Sequence, residues 1–278
     1  MSIVRPPLLL VEREFSKMND PHVERLRYRI VFDDSVDYDN ASDVVEEMPE
    51  CRMLVSAGTV TFEMKKHFPT VDEARTIVEE YLGRWEVLIG LECGPNELTF
   101  SYQDADVIDR APSPDDKRAV MSGRVALAVA LTLDPKIHVS RKRRGYPSRP
   151  NRFSRSLDVE TMYHRYMAFK QGREPLTSMA YMCLTVAEAS AGSRREAAER
   201  YQIRPDVLSK LGEFSSARGS PLEVRKAPKS GNYLSLTSKE RNWIEAVIKA
   251  LIGRVGEWAY DPEATLDELT MDDFPELS

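Results

Sequence analysis

Cysteine is scarce: three residues in 278, Cys51, Cys93 and Cys183, scattered along the chain. They cannot make a disulfide framework. No histidine pair stands near any of them, so no zinc centre, and no metal site of any kind, is expected from them. The 13 glycines are nowhere clustered before a helix start, as a phosphate-cradling loop requires. Neither a Walker A motif nor a dinucleotide fingerprint occurs, and no cofactor is expected. No Gly-x-Ser-x-Gly elbow supports a hydrolase, although triads do assemble across sequence distance. Long apolar runs are also missing. The longest, Val125 to Leu133, contains a threonine and is too short to cross a bilayer. The four-residue apolar run near the start, flanked by charge, is too short for a signal-peptide core. A cytoplasmic protein with no membrane partner is the expectation.

What is present is enough hydrophobic residue, 42%, to build a real core. The length suits about two domains. The net charge of −6 is unevenly spread. Asp33 to Glu50 carries eight acids and no base, and Asp261 to Ser278 carries seven acids and no base. Arg141 to Arg155 carries seven bases and no acid. Removing the seven tail acids alone would turn −6 into +1, so the whole-chain charge hides a local cation patch.

The first half reads as strands around one long helix. Residues 25–32 alternate polar and apolar, as a half-buried strand does, and Arg52 to Met64 is a second strand region broken at Gly58. Thr70 and Glu73 have capping-box spacing. Ala74, Ile77, Val78, Tyr81, Leu82, Trp85 and Leu88 follow as one helical face, which Cys93-Gly94-Pro95-Asn96 ends. Residues 98–102 form a further strand. Val125 to Leu133 is a buried strand or a short helix, and residues 137–139 a short edge strand. The fold class expected is α+β. An antiparallel sheet with one long helix occupies 1–140, a basic Pro/Gly/Arg linker 141–155, a bundle of about five helices 156–260, and an acidic tail 261–278. In the bundle, Ser156 caps the first helix and Pro175 opens the second. Thr237 with Glu240 repeats the capping box before a stripe from Trp243 to Trp258.

Chemistry is thinly signalled. Asp37-Tyr-Asp-Asn spaces its oxygens as a calcium loop does, but Ser42 stands where the loop needs glycine and Met48 where it needs glutamate. A solvated acidic loop is expected instead. No catalytic residue is assigned; the weak candidates are His164, Arg218 and Arg225. His164 lies four residues after Glu160 on one helix, a spacing that serves either a held general base or an ordinary surface pair. The surface pair is the stronger expectation. The better signal is binding. Arg141, Lys142, Arg143, Arg144, Arg149 and Arg152, with Tyr146 and Phe153 interleaved, suit phosphates and stacked bases; Arg225 and Lys226 add a second basic loop. Against this stands a solvated linker, or one that pairs with acids of its own chain or a neighbour. In the tail, Phe274 and Leu277 stand between acids, a pattern for docking onto a basic-apolar groove.

The segments Leu176-Thr-Ser-Met-Ala-Tyr-Met-Cys-Leu-Thr-Val-Ala-Glu-Ala-Ser-Ala-Gly, Arg225-Lys-Ala-Pro-Lys-Ser-Gly and Leu236-Thr-Ser-Lys-Glu-Arg-Asn-Trp-Ile-Glu-Ala resemble bacterial proteins labelled methylamine utilisation protein J. Residues 20–28 and 104–110 extend the resemblance toward the first half. It implies association with methylamine metabolism and supplies no catalytic residues. The helical half resembles, more distantly, HEPN-type bundles, many of which are dimeric ribonucleases with an Arg-x4–6-His motif at the dimer seam. This sequence lacks that motif. The loop Arg218-Gly-Ser-Pro-Leu-Glu-Val-Arg puts Glu223 where a histidine would stand. Three readings follow. The first is a non-enzymatic binding or assembly protein, as a homodimer and with a protein partner. The second is an RNA-binding protein or ribonuclease with a degenerate site, and the third an accessory factor in methylamine utilisation. The first is preferred.

Overall fold

The computed structural model describes residues 19–32, 36–38, 41–95, 97–111, 141–142, 145–217 and 235–277. Contacts divide the chain into two compact units, Met1–Leu82 with Asn96–Pro147, and Gly83–Pro95 with Ser148–Ser278. The division falls inside one helix. The strand or short helix expected at Val125 to Leu133 and the edge strand at 137–139 lie outside the described residues.

The first unit is an antiparallel sheet of five strands: β1 (Pro21–Phe32), β3 (Val44–Glu47), β4 (Cys51–Ser56), β5 (Thr59–Met64) and β6 (Leu98–Asp109), in the order β3-β4-β5-β1-β6. A separate parallel pair joins β2 (Val36–Asp37) to β7 (Arg141–Lys142). The period-2 pattern buries Leu26, Tyr28 and Ile30 of β1, Met53 and Val55 of β4, and Val60 and Phe62 of β5. The break expected at Gly58 is a two-residue turn between Ser56 and Thr59. Ala57 (φ 48°) and Gly58 (φ 72°) are both left-handed, the twist a tight hairpin needs.

Helix α1 (Val71–Glu92) starts where Thr70 accepts the Glu73 N–H at 3.3 Å. Its first part lies on the sheet: Tyr81 meets Phe62 edge-on, and the Tyr28 hydroxyl reaches Glu79 at 3.3 Å. β3 corrects the expectation of a solvated acidic loop, since residues 44–47 pair with β4 at the sheet edge. The physical reason is a partner for an inward acid: Tyr81 donates to Glu46 at 3.1 Å.

The second unit holds residues 83–95 of α1 with α2 (Leu157–Lys170), α3 (Leu176–Ala191), α4 (Arg194–Arg200), α5 (Pro205–Ala217) and α6 (Ser238–Tyr260). Val87 and Leu91 of α1 belong to its core. Ser156 caps α2, Pro175 stands before α3, and Gly192 (φ 110°) ends it. The Thr237–Glu240 capping box forms in full, and Trp243, Ile244, Val247, Ile248, Leu251, Ile252 and Val255 are buried. Among the described residues no helix is long and apolar enough to cross a membrane.

Candidate interaction site

The basic segment begins in the sheet unit. Val36 pairs with Arg141 and Asp37 with Lys142, so its first backbone bonds go to the acidic stretch of the same chain. Tyr146 stacks on Tyr38, with ring centroids 5.3 Å apart and planes within 3°, which covers one face of the ring. Arg143 and Arg144 lie outside the described residues.

In the helical unit the segment continues with Arg149 and Arg152, both exposed. Phe153 then turns inward and is 2% exposed, with its ring in the space left by Gly256, where a Cβ would overlap it. Ser154 donates its N–H to the Gly256 carbonyl at 2.9 Å. Phe153 is therefore an anchor, not a base-stacking platform as the sequence pattern implied. An apolar ring beside a glycine on a helix gains more by burial than by exposure. Arg155 pairs with Glu160 at 2.8 Å.

Arg155 thus engages the carboxylate that a held general base at His164 would need, and His164 sits exposed on α2. Arg218, Arg225 and Lys226 lie outside the described residues. Burial pushes the Cys51 thiol up to about 11, with the Glu50 charge adding to it, and pushes Cys183 higher still. Both thiols are buried, and burial disfavours the thiolate form that a nucleophile needs.

The structure shows two polar arrangements that the sequence reading missed. At one end of the sheet His22, 2% exposed, stacks on His67 with centroids 5.4 Å apart. Its Nδ1 accepts the Phe68 N–H at 3.4 Å, and His67 Nε2 faces Asp20 at 3.4 Å. Burial first, then the charges of Arg110 and His67, hold the His22 imidazole below its ordinary range. His22 lies on β1 and His67 just after β5, where the Val23 N–H donates to the Phe68 carbonyl at 2.9 Å and holds the two segments together; two isolated histidines in the sequence carry no sign of it. The second arrangement is a row of alternating charge, one residue per strand: Glu47, Arg52, Glu63, Arg25 and Asp106. Neighbours meet at 3.1 Å (Glu47–Arg52), 3.6 Å (Arg52–Glu63) and 3.5 Å (Arg25–Glu63). Beside it Arg27 forks onto both Asp106 oxygens at 2.7 Å and also binds Asp104. Among the described residues no group of three or more His, Cys, Asp or Glu is placed to hold a metal ion.

The acidic tail docks, as its pattern implied, and its groove is on its own helical unit. Leu269 donates to the Gln202 carbonyl at 2.8 Å and accepts from Arg204 N–H at 2.9 Å, a one-residue parallel bridge beside Ile203. A 3-10 turn at Met271–Asp273 is closed by a Thr270–Asp273 capping box. It delivers Phe274, 9% exposed, edge-on to Trp243.

Comparison with known proteins finds no match: no family model, no curated protein and no solved structure is similar to this chain.

Proposed function

We propose that the protein is a non-enzymatic binding and assembly protein, acting as a homodimer, whose basic segment receives an acidic protein partner. The observation that carries this is the exposure of Arg149 and Arg152 on a segment pinned by the Phe153 anchor and the Ser154–Gly256 hydrogen bond. A pinned segment presents its cations with less entropy to lose on binding than a free linker. Arg141, Lys142, Arg143 and Arg144 precede it in sequence and extend the charge. The burial of two thiols and the engagement of Glu160 by Arg155 support binding over catalysis.

RNA is the second reading, because exposed arginines also suit phosphates. The helical bundle of the HEPN resemblance belongs to this reading, and an accessory role in methylamine utilisation rests on the sequence resemblance alone.

Light scattering on a sizing column, with and without bulk RNA and at low and high salt, tests the proposal. A salt-resistant dimer that ignores RNA is expected. Arg149→Glu/Arg152→Glu is expected to leave the dimer intact and to abolish salt-sensitive capture by an acidic polypeptide such as polyglutamate. A monomer at all concentrations, or capture unaffected by the double variant, overturns the reading. Salt-sensitive co-elution with RNA that the double variant loses would favour RNA instead.

A further inference from the structure

The tail is held as a short peptide ligand is held. Its backbone makes a β-type bridge to residues 202–204, its 3-10 turn closes on itself, and one aromatic side chain enters the core beside Trp243. Leu269, Met271 and Leu277 only lean on that core, and Phe274 is the one buried residue between Asp261 and Leu277. The attachment is thus one anchor and a few hydrogen bonds, unlike α6, which buries a continuous stripe.

The fit is incomplete. An open cavity of about 450 Å³ remains between α6, at Ala250, Gly253 and Arg254, and Thr265, Leu266, Asp267 and Leu269 of the tail. Gly253 faces open space there. Trp243, the wall of the Phe274 site, has its indole N–H buried without an acceptor among the described residues. Arg254 supplies the groove's cation. It donates to the Asp267 carbonyl at 2.6 Å, and its charge helps hold the Asp273 carboxyl below the usual range, after the hydrogen bonds from Thr270.

We infer that this groove is a docking site for an acidic, aromatic-anchored segment of a partner protein, and that the chain's own tail occupies it as a competing strap. The occupant's chemistry is read from the strap: a backbone able to bridge residues 202–204, acids flanking the chain, and an aromatic residue five positions after the bridging one, as Phe274 follows Leu269. The backbone bridge, the Phe274 ring on Trp243 and the Arg254 bond to the Asp267 carbonyl are local to the groove, and none of them needs the connection back to α6. That connection, residues 261–266, is short, so the strap competes at an effective concentration on the order of millimolar. A partner segment therefore gains access when the strap is weakened or when the partner's own contacts are better. This inference is independent of the role proposed for Arg149 and Arg152.

The test uses the full chain and a fluorescent peptide of residues 265–278. Phe274→Ala loosens the strap and leaves the groove walls in place. It is expected to bind the peptide at least about tenfold more tightly than the wild type does. A peptide carrying the same substitution is expected not to bind. Should Phe274→Ala melt without a cooperative transition, Leu277→Ala loosens the strap at a partly buried position and is read the same way. A folded loosened variant that binds the peptide no better than the wild type overturns the inference and makes the tail ordinary packing. A wild-type mass that rises with concentration through tail exchange, shown by label transfer between copies, overturns the choice of a separate partner and makes a second copy the occupant.

Discussion

At the residue scale, burial and position decide what each polar group does. His22 is the clearest case, packed against His67 with Asp20 and Arg110 nearby. Its folded-state value lies below the ordinary 6.5, so an unfolded chain takes up a proton that the folded chain refuses. Its contribution to stability is full above that ordinary value and is lost as pH falls through the lowered one. Urea unfolding between about pH 7.5 and 5.5, above the carboxylate range, should show stability falling toward acid. His22→Asn, which keeps an acceptor for the Phe68 N–H, should flatten that slope; an unchanged slope would assign it to another group. The charged row across the sheet behaves differently. Its Arg25, Arg52, Glu47 and Glu63 side chains are 43–62% exposed, so solvent screens each pair and each contributes little to stability. Arg27 and its two aspartates are under 20% exposed, and removing that one cation would leave two carboxylates half-desolvated.

At the element scale, local sequence and tertiary register agree most of the time. Thr70, Ser156 and Thr237 all cap where their spacing says, because a cap needs only residues three apart. The β4–β5 turn is one place where local preference is poorly served. Ala57 sits at φ 48° although the left-handed region costs a Cβ-bearing residue roughly 1–2 kcal/mol. Ala57→Asn restores the Asn-Gly pair that this turn type favours and should raise stability by about 0.5–1 kcal/mol, measured by urea titration. Gly58→Ala should lower it, although nothing stands within 4 Å of the added methyl, because the strain is in φ alone. Among the described elements, β3 was hidden by composition, as were β2 in the same acidic stretch and β7 in the basic one. The four residues of β3 are half acidic, and the Tyr81 hydroxyl over Glu46 and the pairing of Glu47 with Arg52 help explain why they join a sheet edge.

At the scale of the whole molecule, each unit contains its own buried thiol. Cys51 lies in the sheet unit and Cys183 in the helical unit, while Cys93 is only half-buried. In the folded protein Cys93 should react with a thiol reagent first, and Cys51 and Cys183 only as their units open. A time course with mass-spectrometric readout of each site checks this, and fast native labelling of either buried thiol would contradict the packing.

Periodicity and capping within the sequence determined the α+β class, most of the strands and helices and their starts, because those features need only near neighbours. The sequence also marked the basic segment and the aromatic in the acidic tail, since charge runs are local. Tertiary structure alone decided what these segments do. It turned Phe153 from a stacking ring into an anchor beneath Gly256 and gave Glu160 to Arg155 instead of His164. It also divided one helix between two units and seated the tail on its own bundle. Each of those outcomes depends on which distant residue fills a space or completes a hydrogen bond, and that is set by packing across the fold, which sequence spacing does not encode.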